Sequence, residues 1–99
     1  MKKDLDFIND HFGPVTQLHK MIEESSELKE ASDEFHYALV IEDDPDEIER
    51  KRVHMIEEMA DTVIMIKQNE RNFCKPGELK AMMQMKIKRT KERIKNGYY

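Results

Sequence analysis

At 99 residues, with 38% hydrophobic and 38% charged side chains and a net charge of −4, the chain is long enough for one small domain with a thin core. The lone cysteine, Cys74, excludes an internal disulfide; with a polar start (MKKDLDFINDH) and no apolar run of bilayer length, this predicts a cytoplasmic protein that meets no membrane. From Lys75 to Tyr99 eight Lys/Arg stand against two acids, so this part carries +6 and the first 74 residues carry −10. The acidic part would repel phosphates, which argues against nucleic acid as a partner.

The three Gly and three Pro punctuate four helical stretches, and strand signals are nearly absent. A short first segment, about Lys3–Phe12, ends at Gly13-Pro14, with Pro14 in the first turn of a long second helix. In that helix Met21, Ser25, Leu28, Ser32, Phe35 and Leu39 recur at steps of three and four and form one face. Glu42-Asp43-Asp44-Pro45 breaks it, and Asp44 with Pro45-Asp46-Glu47 reads as the capped start of a third helix. This helix runs to about Phe73 with Ile48, Arg52, Ile56, Met59, Val63 and Ile66 on one side. Lys75-Pro76-Gly77 is the second break. A last helix follows from Glu78 along Leu79, Met83, Ile87, Thr90 and Ile94 and stops at Asn96-Gly97. The chain is therefore expected to be all-α, a four-helix bundle that gains from sharing surface with a second copy.

The string MIEE occurs twice, in MIEESSEL (Met21–Leu28) and MIEEMADT (Met55–Thr62). In both, an acid follows the second glutamate by three residues, giving the pairs Glu24/Glu27 and Glu58/Asp61, each on one flank of a helix. Met59, Ala60, Val63, Ile64, Met65 and Ile66 surround the second pair, which predicts that this part is buried all round and that Asp61 sits at the edge of a core. An unpaired carboxylate there would cost several kcal/mol or take up a proton. Three compensators are open: basic side chains such as Lys86 and Arg89, bulk water, or a divalent metal held by both pairs. Four carboxylates suit Mg²⁺ or Mn²⁺, hard ions that keep waters and accept phosphate oxygens as further ligands.

Glu24-Ser25-Ser26-Glu27 followed by Glu58-Met59-Ala60-Asp61 resembles the ExxE…ExxD signature of the MazG-like superfamily of all-α nucleoside triphosphate pyrophosphatases, in the small single-domain form of bacteria and phages. The similarity extends from Phe12-Gly13, Gln17 and IEESSEL through IEEMADTVIMIKQ to the basic KIKRTKERI, roughly Phe12 to Ile94. The long stretch between the acid motifs, with EDDPDE, and Ser25-Ser26 depart from the usual pattern; neither removes a ligand. The resemblance implies Mg²⁺-dependent hydrolysis of a (deoxy)nucleoside triphosphate to the monophosphate and pyrophosphate, as nucleotide-pool house-cleaning, by a homodimer or tetramer. It implies Glu24, Glu27, Glu58 and Asp61 as metal ligands, and Lys86 and Arg89 as phosphate-neutralising residues, with Gln17 on the base. Glu23 and Glu57 precede ligands and point about 100° away from them, where they would orient water as general base or stay on the surface. A phosphoribosyl-ATP pyrophosphatase-like enzyme and a non-catalytic helical adaptor using the basic tail are the alternatives.

Other residues carry less. Asp33 and His36 have the spacing of half a di-iron site, but Asp61 stands where a second histidine would be needed. His54, one turn before Glu58, lies at the edge of the acid motif, whereas His11 and His19 have no evident partner. Cys74 and AMMQM (Ala81–Met85) read as packing, and Tyr98-Tyr99 as aromatic rings available for stacking on a base.

Overall fold

The computed structural model describes residues 1–42 and 44–98, and among them it is all-α, with four helices and no strand: α1 (Lys2–Phe12), α2 (Pro14–Ile41), α3 (Pro45–Phe73) and α4 (Glu78–Lys95). Asp43, in the predicted break, and Tyr99, of the terminal aromatic pair, lie outside the described residues. The chain divides into two compact units, Met1–Asn69 and Glu70–Tyr99. No described helix is long and apolar enough to cross a membrane.

The helix ends follow from local chemistry. Gly13 alone joins α1 to α2, at φ 81° and ψ 166°, a backbone conformation that a side chain would strain, and Pro14 opens α2 with its φ already helical. At the start of α3 the Asp44 carboxylate accepts the Asp46 N–H at 3.0 Å, the predicted cap. The Glu78 carboxylate accepts the Lys75 N–H at 3.1 Å and closes the turn before α4.

In the first unit α2 and the larger part of α3 run antiparallel, held by three polar contacts. Lys51 reaches Glu34 at 3.4 Å, the Thr62 hydroxyl lies 3.2 Å from the Glu24 carbonyl, and the Asn69 amide donates to the Gln17 carbonyl at 3.0 Å. The partner number falls on α2 as it rises on α3 (34 with 51, 24 with 62, 17 with 69), so one register holds along the pair. The Gln68 amide adds a fourth contact, donating to the Leu5 carbonyl of α1 at 2.9 Å.

The pairing shares Met21, Leu28 and Phe35 with the predicted face of α2 but departs from the predicted stripe of α3 beyond Ile48. On α2 the buried and half-buried positions include the series Gln17, Met21, Glu24, Leu28, Ala31, Phe35 and Ala38, with Lys20, Ser32 and Glu34 beside it; on α3 they include Ile48, Lys51, Met55, Glu58, Thr62, Met65 and Asn69, with Glu47, Gln68, Glu70 and Asn72 beside it. Each series alternates steps of three and four, the seam of a two-helix coiled coil. The predicted α2 face is offset from it by one residue at several positions; Ser25 and Leu39 are exposed. On α3 the predicted stripe turns outward, with Ile56 45%, Met59 46%, Val63 47% and Ile66 39% exposed. The expectation that residues 59–66 are buried all round is therefore overturned, and Asp61 is exposed rather than at a core edge. Among the described residues, Ala31 and Ala38 are the buried hydrophobic ones, and Gln17, Thr62, Gln68 and Asn69 the buried polar ones. Small residues let the helices approach, and side-chain amides and a hydroxyl then fill the seam.

In the second unit α4 is half-buried at Leu79 and exposed over residues 80–98. Its face of Leu79, Met83, Ile87, Thr90 and Ile94 has the predicted helical spacing, with Met83 54%, Ile87 64% and Ile94 60% exposed.

Polar contacts hold the α2/α3 pair, so their removal is expected to be costly. Asn69→Ala removes the bond to Gln17 and a second one to the Met65 carbonyl at 2.8 Å. It should lower stability by about 1–3 kcal/mol, read from thermal unfolding followed by circular dichroism. A change below about 0.3 kcal/mol would show that the seam does not rest on this amide.

Candidate metal centre

The two acid motifs meet in the middle of the seam. Glu24 occupies the position between Gln17 and Ala31 on α2, and Glu58 that between Met55 and Thr62 on α3, so the coiled-coil register brings both inward. Thr62 fixes their relative height: its hydroxyl donates to the Glu58 carbonyl at 2.8 Å and stands 3.2 Å from that of Glu24. One ligand oxygen from each of Glu24, Glu27 and Glu58 lies within 4.8 Å of the others. Glu24 and Glu58 are half-buried and Glu27 is exposed, so the cluster opens to solvent on one side.

Burial and neighbouring carboxylates raise the proton affinity of Glu24 and Glu58. The Glu24 carboxyl is raised above its ordinary value of 4.5, first by burial and then by Glu27, Asp61 and Glu58. Glu58 is raised as well, by burial, Glu27 and Asp61, against a smaller lowering from His54. His54 acts on Glu58 from one turn away, while its imidazole is exposed and faces Glu57 at 3.7 Å. Every ionised neighbour acting on Glu24 is another carboxylate.

Asp61 belongs to the surroundings of the cluster but not to its closest set. It lines, with Glu24, a cleft of about 160 Å³ whose other walls are Ile8, Phe12, Gln17, Lys20, Ile64 and Met65. Gln17 is fully buried in this wall, and neither its amide nitrogen nor its amide oxygen has a protein partner. The inner carboxylate oxygens of Glu24 and Glu58 are buried without partners too. A buried polar group left unsatisfied costs about 1–3 kcal/mol, so four such atoms along this part of the seam point to a polar occupant. Hard carboxylate oxygens, open on one side, fit a divalent ion of the Mg²⁺ or Mn²⁺ kind that retains water.

The remaining residues singled out by sequence lie elsewhere. Glu23 is exposed and paired with His19 at 2.8 Å; Glu57 is exposed with His54 at 3.7 Å. Both project away from the cluster, as the 100° step per residue requires. Asp33 pairs with Lys29 at 2.8 Å. In the second unit, Lys86 and Arg89 are exposed on α4, Cys74 is a half-buried free thiol and Tyr98 is exposed. Lys20 went unnoticed in the sequence. It follows Gln17 by three residues and precedes Glu24 by four, so helical spacing alone placed it on their face. Its ammonium lies 4.6 Å from the centre of the Phe12 ring.

Comparison with protein-family models, with curated proteins and with solved structures finds no match.

The raised carboxyls give a signed pH dependence. The folded state holds these protons more tightly than the unfolded state, so the penalty from Glu24 and Glu58 appears as pH rises above about 4.5. It is relieved on acidification. Glu24→Gln is expected to raise the melting temperature of the metal-free protein at pH 7 and to flatten its change between pH 7 and 5. If the cluster takes up Mg²⁺ or Mn²⁺, the wild type should gain about 2.7 kcal/mol at a concentration 100-fold above Kd, and the same substitution should remove that gain. Thermal melts with and without cation at both pH values check this. A Glu24→Gln variant that melts below the wild type at pH 7, or responds to cation as the wild type does, contradicts it.

Proposed function

We propose that the protein hydrolyses a (deoxy)nucleoside triphosphate between its α and β phosphorus atoms, releasing the monophosphate and pyrophosphate, with Mg²⁺ or Mn²⁺ held by the seam carboxylates. The observation that carries this reading is the convergence of Glu24, Glu27 and Glu58 within 4.8 Å, with buried oxygens that no protein group satisfies. The motif resemblance supplies the substrate class. Glu24, Glu27 and Glu58 would hold the ion, with Asp61 beside Glu24 completing the set. When bound, such an ion neutralises phosphate oxygens and lowers the pKa of a water.

The chain's own residues divide the remaining work. Water gives its oxygen to phosphorus, its proton passes to a carboxylate, and the α–β bridging oxygen departs with pyrophosphate. Glu23 and Glu57, which adjoin ligands in sequence, pair with His19 and His54 away from the cluster, so the proton goes to a carboxylate of the cluster. Gln17 offers one donor and one acceptor to the nucleoside from the wall of the cleft. Lys20 lines the same cleft as a cation for phosphate, and Lys86 and Arg89 on α4 take the phosphate-neutralising role implied by the resemblance. In this reading the protein acts as a homodimer or a tetramer, supported by the half-exposed apolar stripe of α3.

A second reading, a non-catalytic helical adaptor, is favoured by one observation: α4 is basic and exposed over its length beyond Leu79. A single experiment separates the two. The protein is incubated with each common and modified triphosphate plus Mg²⁺, and pyrophosphate is measured. Release from at least one substrate is expected, lost by about 10³-fold or more in Glu24→Gln with helicity intact, a scale set by charge stabilisation in phosphoryl transfer. Glu57→Gln should change turnover by less than about 3-fold, since Glu57 pairs with His54 on the surface; a loss of about 10²-fold would instead make Glu57 the residue that orients the water. No release from any substrate at high enzyme concentration sinks the hydrolase in favour of the adaptor.

A further inference from the structure

Part of the apolar surface of the first unit forms a groove, while Val15, Ile22, Tyr37, Leu39, Val40 and Ile41 of α2 are exposed apart from it. Leu5 and Ile8 of α1 and Ile56, Ala60, Val63 and Ile64 of α3 line a groove of about 660 Å³. On α3 these positions follow one another at helical spacing over about three turns, roughly 17 Å from Ile56 to Lys67. Asp4 and Lys67 are the charged residues of its lining. Around it the first unit carries eight Lys/Arg against eighteen Asp/Glu, a net −10.

The second unit presents the complement. On α4, Leu79, Met83, Ile87, Thr90 and Ile94 fall within about 80° of the helix circumference and span roughly 22 Å. The Thr90 hydroxyl donates to the Lys86 carbonyl at 3.0 Å, which leaves its methyl to the stripe. Lys80 and Lys91 border the stripe on one side, Lys86 and Arg93 on the other. This unit carries nine Lys/Arg against three acids, a net +6. An amphipathic helix laying its apolar face into a groove is a common recognition mode, and opposite net charges favour this pairing over groove with groove or α4 with α4, in which like charges meet.

We propose that the α4 stripe of one copy docks into the α1/α3 groove of a second copy, and that a twofold axis repeats the contact in the opposite direction. The proposal rests on the oligomeric reading above and specifies which surfaces meet. Reciprocal exchange gives two identical contacts per dimer and closes the assembly, whereas one-way docking would continue into a chain of copies. It also brings Lys86 and Arg89 to a dimer interface, where each copy's basic helix meets the acidic unit of its partner.

The test uses full-length chains with Cys74→Ser as background. One carries Ala60→Cys in the groove, the other Thr90→Cys on the stripe, and their mixture is treated with a short bismaleimide. The expected product is the crossed species linking position 60 of one chain to position 90 of another, identified by mass spectrometry. It should exceed either like-with-like product by at least ten-fold. Separately, Val63→Glu and Ile87→Glu should each weaken the wild-type dimer about 10- to 100-fold in sedimentation equilibrium. Their mixture should recover association through the one intact contact, and 0.5 M salt should weaken the wild-type dimer.

Predominance of 60–60 or 90–90 products overturns the proposed contact while leaving the oligomeric reading standing. So does a dimer that neither charge substitution disturbs. A protein monomeric at 100 μM overturns both. Co-sedimentation of monomers with phosphatidylserine vesicles, lost in Ile87→Glu, overturns the contact in favour of a lipid surface for α4.

Discussion

The structure depends on the placement of carboxylates in a helix–helix seam where apolar side chains ordinarily sit. α2 and α3 meet along positions spaced as in a coiled coil, and Glu24 and Glu58 occupy inward positions of that seam. Their backbones cannot move apart without breaking register, because Thr62 bridges the two turns and Asn69 ties α3 to the start of α2. Burial, and after it repulsion from the neighbouring acids, therefore appears as raised proton affinity of Glu24 and Glu58 rather than as displacement. Geometry and charge are coupled: the polar contacts that hold the helices together also hold the acids at close range.

How far the sequence revealed this depends on the kind of signal. Gly13-Pro14, Asp44-Pro45 and Gly77 set the helix limits because caps and turns are local. The duplicated acid motif marked Glu24, Glu27 and Glu58 because helical spacing fixes which neighbours share a flank. The inward face was harder to read. Hydrophobic periodicity favoured Ile56, Met59, Val63 and Ile66, and these do lie together, but not against α2. The seam is instead marked by residues of low hydrophobicity, Gln17, Ala31, Ala38, Thr62 and Asn69. Their fit is a matter of size and hydrogen bonding, which a count of apolar residues does not register. The exposure of Asp61 follows from the same error, since its expected burial came from the apolar stripe. Lys20 was legible from spacing but was passed over in favour of the acids beside it.

The arrangement leaves polar groups inside and apolar ones outside. With Ala31 and Ala38 as its buried hydrophobic residues, the described chain gains little from a core, and Ile56, Val63, Ile87 and Ile94 remain open to water. At about 25 cal/mol per Å² of apolar surface, covering two such stripes outweighs any single polar contact in the seam. The separation of charge runs the same way. An acidic unit of −10 repels itself, and a basic unit of +6 is the largest countercharge in the chain.

A divalent ion in the seam and a basic helix against the acidic unit would relieve the same excess of negative charge at different ranges. The ion acts at contact distance between half-buried oxygens, where salt screens little. The basic helix acts across surface charges, where a Debye length of about 10 Å at 0.1 M salt removes much of its effect. The two should therefore respond differently to ionic strength, and each should strengthen the other, because neutralising the acids from one side lowers the repulsion that the other must oppose. By linkage that reciprocity is equal in both directions. In the proposed enzyme, a triphosphate would add negative charge to a unit that already carries an excess, so binding it would draw on both sources of positive charge together.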